Sequence, residues 1–208
     1  MKGYYINLDH RTDRNSHIQQ NIINKYELFS QIERMSAIKN VNGAIGCSMS
    51  HIKCLTKCLE MKDEPYFMIL EDDFCVLNEE NMQEFMKEFE KIKYDDKWDV
   101  IVLTPRGLPM QKNYIQKWHR IMDNQTATGY IVKASFVPIL LSVFKNAIIH
   151  LMRNEAPDTW ALDQAWKPLQ MKHAFIYFYQ IYAGQFPGYS DIEKRQVDYN
   201  RRFIMQKI

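Results

Sequence analysis

The sequence has no charge excess of either sign. Its 27 Lys and Arg face 25 Asp and Glu, a formal net charge of +2, so the clustered basic surface of a nucleic-acid binder is not expected. Cysteine is scarce and confined: Cys47, Cys54, Cys58 and Cys75 are the only four, and three of them fall in a segment that reads as helix. A secreted disulfide scaffold spreads its cysteines along the chain, and neighbours on one helix meet disulfide geometry poorly. The expectation is free thiols in a reducing, cytoplasmic setting, with attachment to a membrane surface left open. Nothing resembling a leader precedes the strand-like run Met1 to Ile6, and no apolar run reaches the roughly 18 to 20 residues of a spanning helix. Neither a signal peptide nor a transmembrane segment is therefore expected. Repeats, low-complexity tracts and linkers are missing as well. What remains is one domain over residues 1–208, with 46% hydrophobic residues to build a core and 25% charged, too ordinary a share for disorder.

The first two thirds alternate between two periodicities. Gly3 to Leu8 is a short apolar, strand-like run. From Asp13 to about Phe29, Ile18, Ile22, Tyr26 and Phe29 recur at helical spacing. Gln31 to Ala37 reads as a second strand, and Asn42 to Gly46 as the turn into a helix ending near Lys62. Asp63-Glu64-Pro65 breaks that helix. Tyr66-Phe67-Met68-Ile69-Leu70 is apolar on every residue, as suits a central strand covered on both faces. Glu79 to Lys93 is amphipathic, and Trp98 to Thr104 is a buried strand closed by Pro105. This succession predicts an α/β domain with a mainly parallel sheet flanked by helices. Beyond Pro105 the pattern loosens to a strand at Tyr130–Val132, an apolar helix from Phe136 to Met152, an aromatic strand from Ala174 to Ile181 and a polar, basic tail from Asp191.

The most informative residues follow the apolar strand: Glu71-Asp72-Asp73. In open α/β sheets ligands gather at the carboxyl ends of strands. Three adjacent carboxylates repel one another there, and something positive must offset them. Side chains alternate along an extended chain, so Glu71 and Asp73 share a face and offer two hard oxygen donors to Mn²⁺ or Mg²⁺. The competing reading is a solvated acidic turn before the helix at Glu79.

With that cluster in hand, the chain resembles the family 25 glycosyltransferases, which include lipopolysaccharide sugar transferases and collagen galactosyltransferases. The resemblance rests on Tyr5 to Arg14, on Gly43-Ala44-Ile45-Gly46-Cys47-Ser48-Met49-Ser50-His51 and on Ile69 to Asp73, with weaker echoes at Gly129–Val132 and Ser190-Asp191-Ile192. It implies a GT-A-like fold, a nucleotide-sugar donor such as a UDP-sugar, inverting transfer to a hydroxyl on a glycan, lipopolysaccharide or collagen-like protein, and an Mn²⁺ or Mg²⁺ ion. Residues 1–104 would then be the nucleotide- and metal-binding half, and 105–208 the acceptor side. The loop His10-Arg11-Thr12 departs from the second basic residue and proline often found there, which bears on nucleotide preference.

Under this resemblance Glu71 and Asp73 are the metal candidates, and Asp72 contacts the nucleotide sugar. The opening strand and loop lie against the nucleotide through Asn7 and Leu8, with Arg11 and Arg14 for the diphosphate. Asp9 or Asp13 as a helix cap and the arginines as surface groups form the rival reading. Gly46, Ser50 and His51 border the same site. Cys47, His51, Cys54 and Cys58 stack on one helical face, but one straight helix cannot wrap four ligands round an ion when the outer pair stands about 16 Å apart. Cys54 and Cys58 are read as core. Asp163, between bulky apolar neighbours, is the candidate base for the acceptor hydroxyl, with Asp158 its rival. Asp191 is either a late metal contact or a helix cap. A phosphoryl-transfer enzyme with a second metal and a catalytically silent domain are the alternative functions, and a homodimer is left open.

Overall fold

The computed structural model describes residues 1–190 and 194–199. Eight strands form one sheet: β1 (Lys2–Asn7), β2 (Gln31–Ser36), β3 (Tyr66–Glu71), β5 (Val100–Val102), β6 (Leu108–Ile115), β7 (Trp118–Met122), β8 (Gly129–Lys133) and β9 (Phe175–Phe178). Their order is β2-β1-β3-β8-β5-β9-β7-β6. The sheet is α/β as expected, and mixed: β2, β1 and β3 run parallel, as do β5 and β9, while β8 lies antiparallel between β3 and β5. A hairpin of β6 and β7 completes the far edge. Strand β4 (Phe74–Val76) pairs with β10 (Ala183–Gln185), and β11 (Gly188–Ser190) with β12 (Arg195–Val197).

Alternation along the central strands sorts their side chains into two cores. Met68 and Leu70 of β3 face Ile18 of α1 (Thr12–Ile18) and Phe85 and Phe89 of α3 (Glu79–Ile92). Phe67 and Ile69 face Leu55 of α2 (Gly43–Cys58) and Leu140 and Phe144 of α4 (Val137–Met152). Both sides of the strand are covered, which is why its sequence is apolar throughout. Cys54 and Cys58 are fully buried in the second core, and all four cysteines are free thiols.

Three elements differ from the sequence reading. The helix expected to reach Phe29 stops at Ile18, passes through a π segment at Gln19–Ile23 and ends in a 3-10 turn at Glu27–Phe29. The wider winding lets Ile22 and Ile23 both face the core. The β6–β7 hairpin was not anticipated, because β6 is exposed along nearly its whole length and carries no apolar alternation. Finally, Ala134–Met152 is 19 residues long and apolar enough by length and composition to cross a membrane. This corrects the expectation that no such run exists; Ser142, Lys145 and Asn146 interrupt it in sequence but gather on its exposed side. Its other side covers the sheet and packs on α2.

Candidate functional site

Parallel β1 and β3 end side by side, with Ile6 opposite Glu71. Beyond them the chain opens into a cavity of about 820 Å³. Its walls include the acids Glu71, Asp72 and Asp73, the first two turns of α2, the loop before β8 and the turns around Asp163.

The three acids take different partners. Asp72 turns back toward β1: Asn7 Nδ2 donates to its Oδ2 at 2.7 Å and Arg14 donates to its Oδ1 at 3.0 Å. Burial lifts its carboxyl above the usual range, and the Arg14 charge opposes that rise. Glu71 accepts from Thr128 Oγ1 at 3.4 Å and lies 3.3 Å from His51 Nε2 and 3.6 Å from Cys47 Sγ. Burial pushes its pKa up, but the His51 and Cys47 contacts and the nearby Arg14 charge prevail and hold it low. Asp73 is raised to about 7, by burial first and then by the charge on Glu71. Its Oδ2 accepts from Arg14 and Gln185 at 3.4 Å each. Its Oδ1 is buried with no hydrogen-bond partner among the described residues.

A buried carboxylate oxygen without a partner, on a residue that feels a second carboxylate's charge, is what a hard divalent cation satisfies. The donor set Glu71 and Asp73 therefore fits Mn²⁺ or Mg²⁺. Asp72, already paired with Asn7 and Arg14, serves as the strut that aims Arg14 across the cluster.

The remaining sequence candidates are distributed as follows. Leu8, Arg14, Gly46, Ser50 and His51 line the cavity with the acids. Asn7 is buried behind it, donating to the Arg11 carbonyl and Asp72 and accepting from Arg34. Arg11 reaches Asp13 and the Tyr189 carbonyl. Asp13 is accordingly drawn down to about 2 by its Arg11 partner. Ser50 ties the neighbouring loop to α2, donating to the Gly46 carbonyl at 2.7 Å and accepting from the Ile38 amide at 2.8 Å. His51 is fully buried, its Nδ1 3.2 Å from the Tyr130 hydroxyl. Asp163 is half-buried in the cavity lining, its pKa lifted to about 6 by burial and the Glu71 charge against the pull of Arg106. Its rival Asp158 also lines the cavity but is exposed. Asp191 lies outside the described residues.

Sequence reasoning missed Thr128, Gln185, Arg106 and the role of Cys47. Thr128 directly precedes the Gly129–Val132 strand, but only the antiparallel register sets it against Glu71. Gln185 reaches Asp73 through the β4–β10 pairing, for which no local signal exists.

Gly46 shows how closely this wall is fitted. A Cβ there would stand 2.6 Å from the Ile38 carbonyl oxygen and 3.2 Å from the Asn40 amide nitrogen. Both are backbone, so the loop must shift. Gly46→Ala is expected to lose about 1–3 kcal/mol of stability, as overpacking does, and to weaken ligand binding in the cavity. Urea denaturation and ligand titration measure the two effects; unchanged values for both would show the wall to be compliant.

The geometry meets its counterparts among known proteins here. The family model for glycosyltransferase family 25 (LPS biosynthesis protein) matches residues 27–159. A solved glycosyltransferase involved in the glycosylation of the major capsid of PBCV-1 superposes with a TM-score of 0.57 at 11% identity, covering 98% of each chain. At that identity the likeness shows the fold, a GT-A-like one. A197 from STIV superposes with a TM-score of 0.46 at 13% identity, over 94% of this chain and 92% of its own. No curated protein matches the chain.

Proposed function

The chain belongs to glycosyltransferase family 25, and from that premise we propose that it is a metal-dependent, inverting enzyme that moves a sugar from a UDP-sugar to a hydroxyl acceptor. The observation that carries the reading is the unpartnered, buried Asp73 Oδ1, on a residue that feels the Glu71 charge and lines, with Glu71, a cavity large enough for a nucleotide sugar. Glu71 and Asp73 would hold Mn²⁺ or Mg²⁺. When bound, that ion neutralises the diphosphate leaving group.

The chain's own residues do the rest. Arg14, held between Asp72 and Asp73, carries fixed positive charge to the cavity. Lys39, Arg106 and Lys194 stand on other walls and add cationic groups for the diphosphate. Asp163, with a pKa near 6, is ionised at neutral pH and basic enough to accept a proton. In the transfer, the acceptor oxygen bonds to the anomeric carbon and its proton passes to Asp163. The bond from that carbon to the phosphate oxygen breaks, its electron pair leaving with the diphosphate. Attack from the face opposite the leaving group inverts the centre. A glycan, a lipopolysaccharide or a collagen-like chain supplies the hydroxyl.

A thermal-shift panel of UDP-, GDP- and CMP-sugars, each with and without Mn²⁺, tests the reading. The expected result is a shift with UDP-sugars that needs the metal. No metal-dependent shift with any of them overturns it in favour of a silent domain, and metal-dependent cleavage of phosphodiesters would favour phosphoryl transfer.

A further inference from the structure

The catalytic reading uses two of the acids and leaves a second donor set unexplained. Cys47 and His51 lie four residues apart on α2, so both project from one face. Glu71 comes to meet them from the end of β3. Sγ, Nε2 and a Glu71 oxygen all lie within 4.8 Å of one another. From Glu71 Oε1 the separations are 3.3 Å to His51 Nε2 and 3.6 Å to Cys47 Sγ.

Those lengths can be compared with a coordination shell. Tetrahedral zinc, with bonds of about 2.3 Å to sulfur and about 2.0–2.2 Å to nitrogen and oxygen, sets its ligand atoms about 3.3–3.6 Å apart. The two edges through Glu71 already have this length. His51 is also fixed from behind, its Nδ1 against the buried Tyr130 hydroxyl at 3.2 Å. A partner on the far ring nitrogen is the usual outer support of a metal-bound imidazole. All three donors line the cavity, which gives an ion a way in.

We infer that Cys47, His51 and Glu71 form a site for a thiophilic divalent cation such as Zn²⁺, distinct in donor chemistry from the all-oxygen pair Glu71 and Asp73. As the sulfur–metal bond forms, the Cys47 thiol proton leaves to solvent. Glu71 belongs to both sets, with its Oε1 toward Cys47 and His51. A thiophilic cation at Cys47 would therefore draw on the same carboxylate that serves the Mn²⁺ or Mg²⁺ position. This inference needs no sugar nucleotide and stands or falls separately from the donor reading.

The test is Co²⁺ titration of the metal-free full chain, read by absorption spectroscopy, with Zn²⁺ displacement as the affinity measurement. The wild-type protein is expected to bind one equivalent. It should show a thiolate-to-cobalt charge-transfer band in the near ultraviolet and the strong visible bands of a four-coordinate ion. Cys47→Ser is expected to abolish the charge-transfer band and weaken Zn²⁺ binding at least about tenfold, the lower range seen for losing even an outer-sphere partner. Tyr130→Phe keeps the ring in place and is expected to weaken Zn²⁺ while keeping the band, whereas a simple hydrogen-bonded Cys–His–Glu cluster would bind no cobalt at all. Cys54→Ala, at a thiol buried in the apolar core, must leave the spectrum unchanged, and Asp73→Asn must leave the band in place. A wild-type spectrum without the charge-transfer band, or a band that survives in Cys47→Ser, overturns the site.

Discussion

Asp73→Asn is expected to lower kcat/KM at least about 10³-fold and, in the absence of metal, to make the protein more stable at pH 8. The first effect follows from removing an oxygen donor to an ion that contributes several kcal/mol of charge stabilisation, each 1.36 kcal/mol being tenfold in rate. The second follows from the raised carboxyl. Burial and the Glu71 charge lift Asp73 from 3.8 to about 7, so the folded protein holds this proton more tightly than the unfolded chain. Stability is then fully present below about pH 4 and is lost as pH rises through 7. Above that window the ionised carboxylate costs on the order of a few kcal/mol, which the neutral amide avoids. Thermal melts of both proteins at pH 5 and pH 8 measure the effect. The difference should be largest at pH 8 and less than half as large at pH 5. With Mn²⁺ and UDP the order should reverse, because only the wild type gains the bound ion. Equal melting points at pH 8 without metal would show that Asp73 is not the strained charge described here.

Asp163→Asn carries the other large effect. An amide accepts no proton, so kcat is expected to drop about 10²–10⁴-fold, the usual worth of a positioned base. Donor affinity should stay within a few-fold, because the residue is proposed to serve the acceptor hydroxyl and not the diphosphate. The wild-type rate should fall as pH drops through about 6, since the base works only when ionised and its pKa is lifted to that value. That acid limb should vanish from the residual activity of the variant. Asp158→Asn, at the exposed rival, is expected to change kcat by less than about tenfold, below the range of a general base. Reversed magnitudes for the two variants would move the proton acceptor to Asp158.

The sequence showed some of this directly and hid the rest for identifiable reasons. The run Tyr66–Leu70 announced a strand buried on both faces because the sheet really is covered on both faces there. The polar residues ending β1 and β3 stood out because those strands are parallel neighbours and finish at the same rim. Asn42 and Gly46 marked the start of α2, and Asn42 does cap it, accepting from the Ala44 amide at 3.1 Å.

What stayed hidden depends on pairing between distant segments. Nothing in Gly129–Lys133 tells an antiparallel strand from a parallel one, since either is apolar when central. Asn7 is a nucleotide contact under the family resemblance; its burial beneath Asp72 emerges only when β1 and β3 are side by side. Cys47 and His51 formed a visible pair on a helix, and the sound objection to a four-ligand site on one helix obscured a three-donor one completed by Glu71 from another element.

The reversed direction of β8 has a consequence of its own. In an all-parallel sheet, one rim receives only segments leaving the strands. Here the chain arrives at β8 along the rim that β1 and β3 leave, bringing Thr126, Ala127 and Thr128 to the cavity. That arriving segment is anchored farther back, where Asn124 is locked to Gln170 and Trp166. The wall between the anchor and Gly129 is thus a short span with both ends secured. Thr128, which donates to Glu71, is thereby held at the rim from both directions, by the strand that follows it and by the anchor that precedes it.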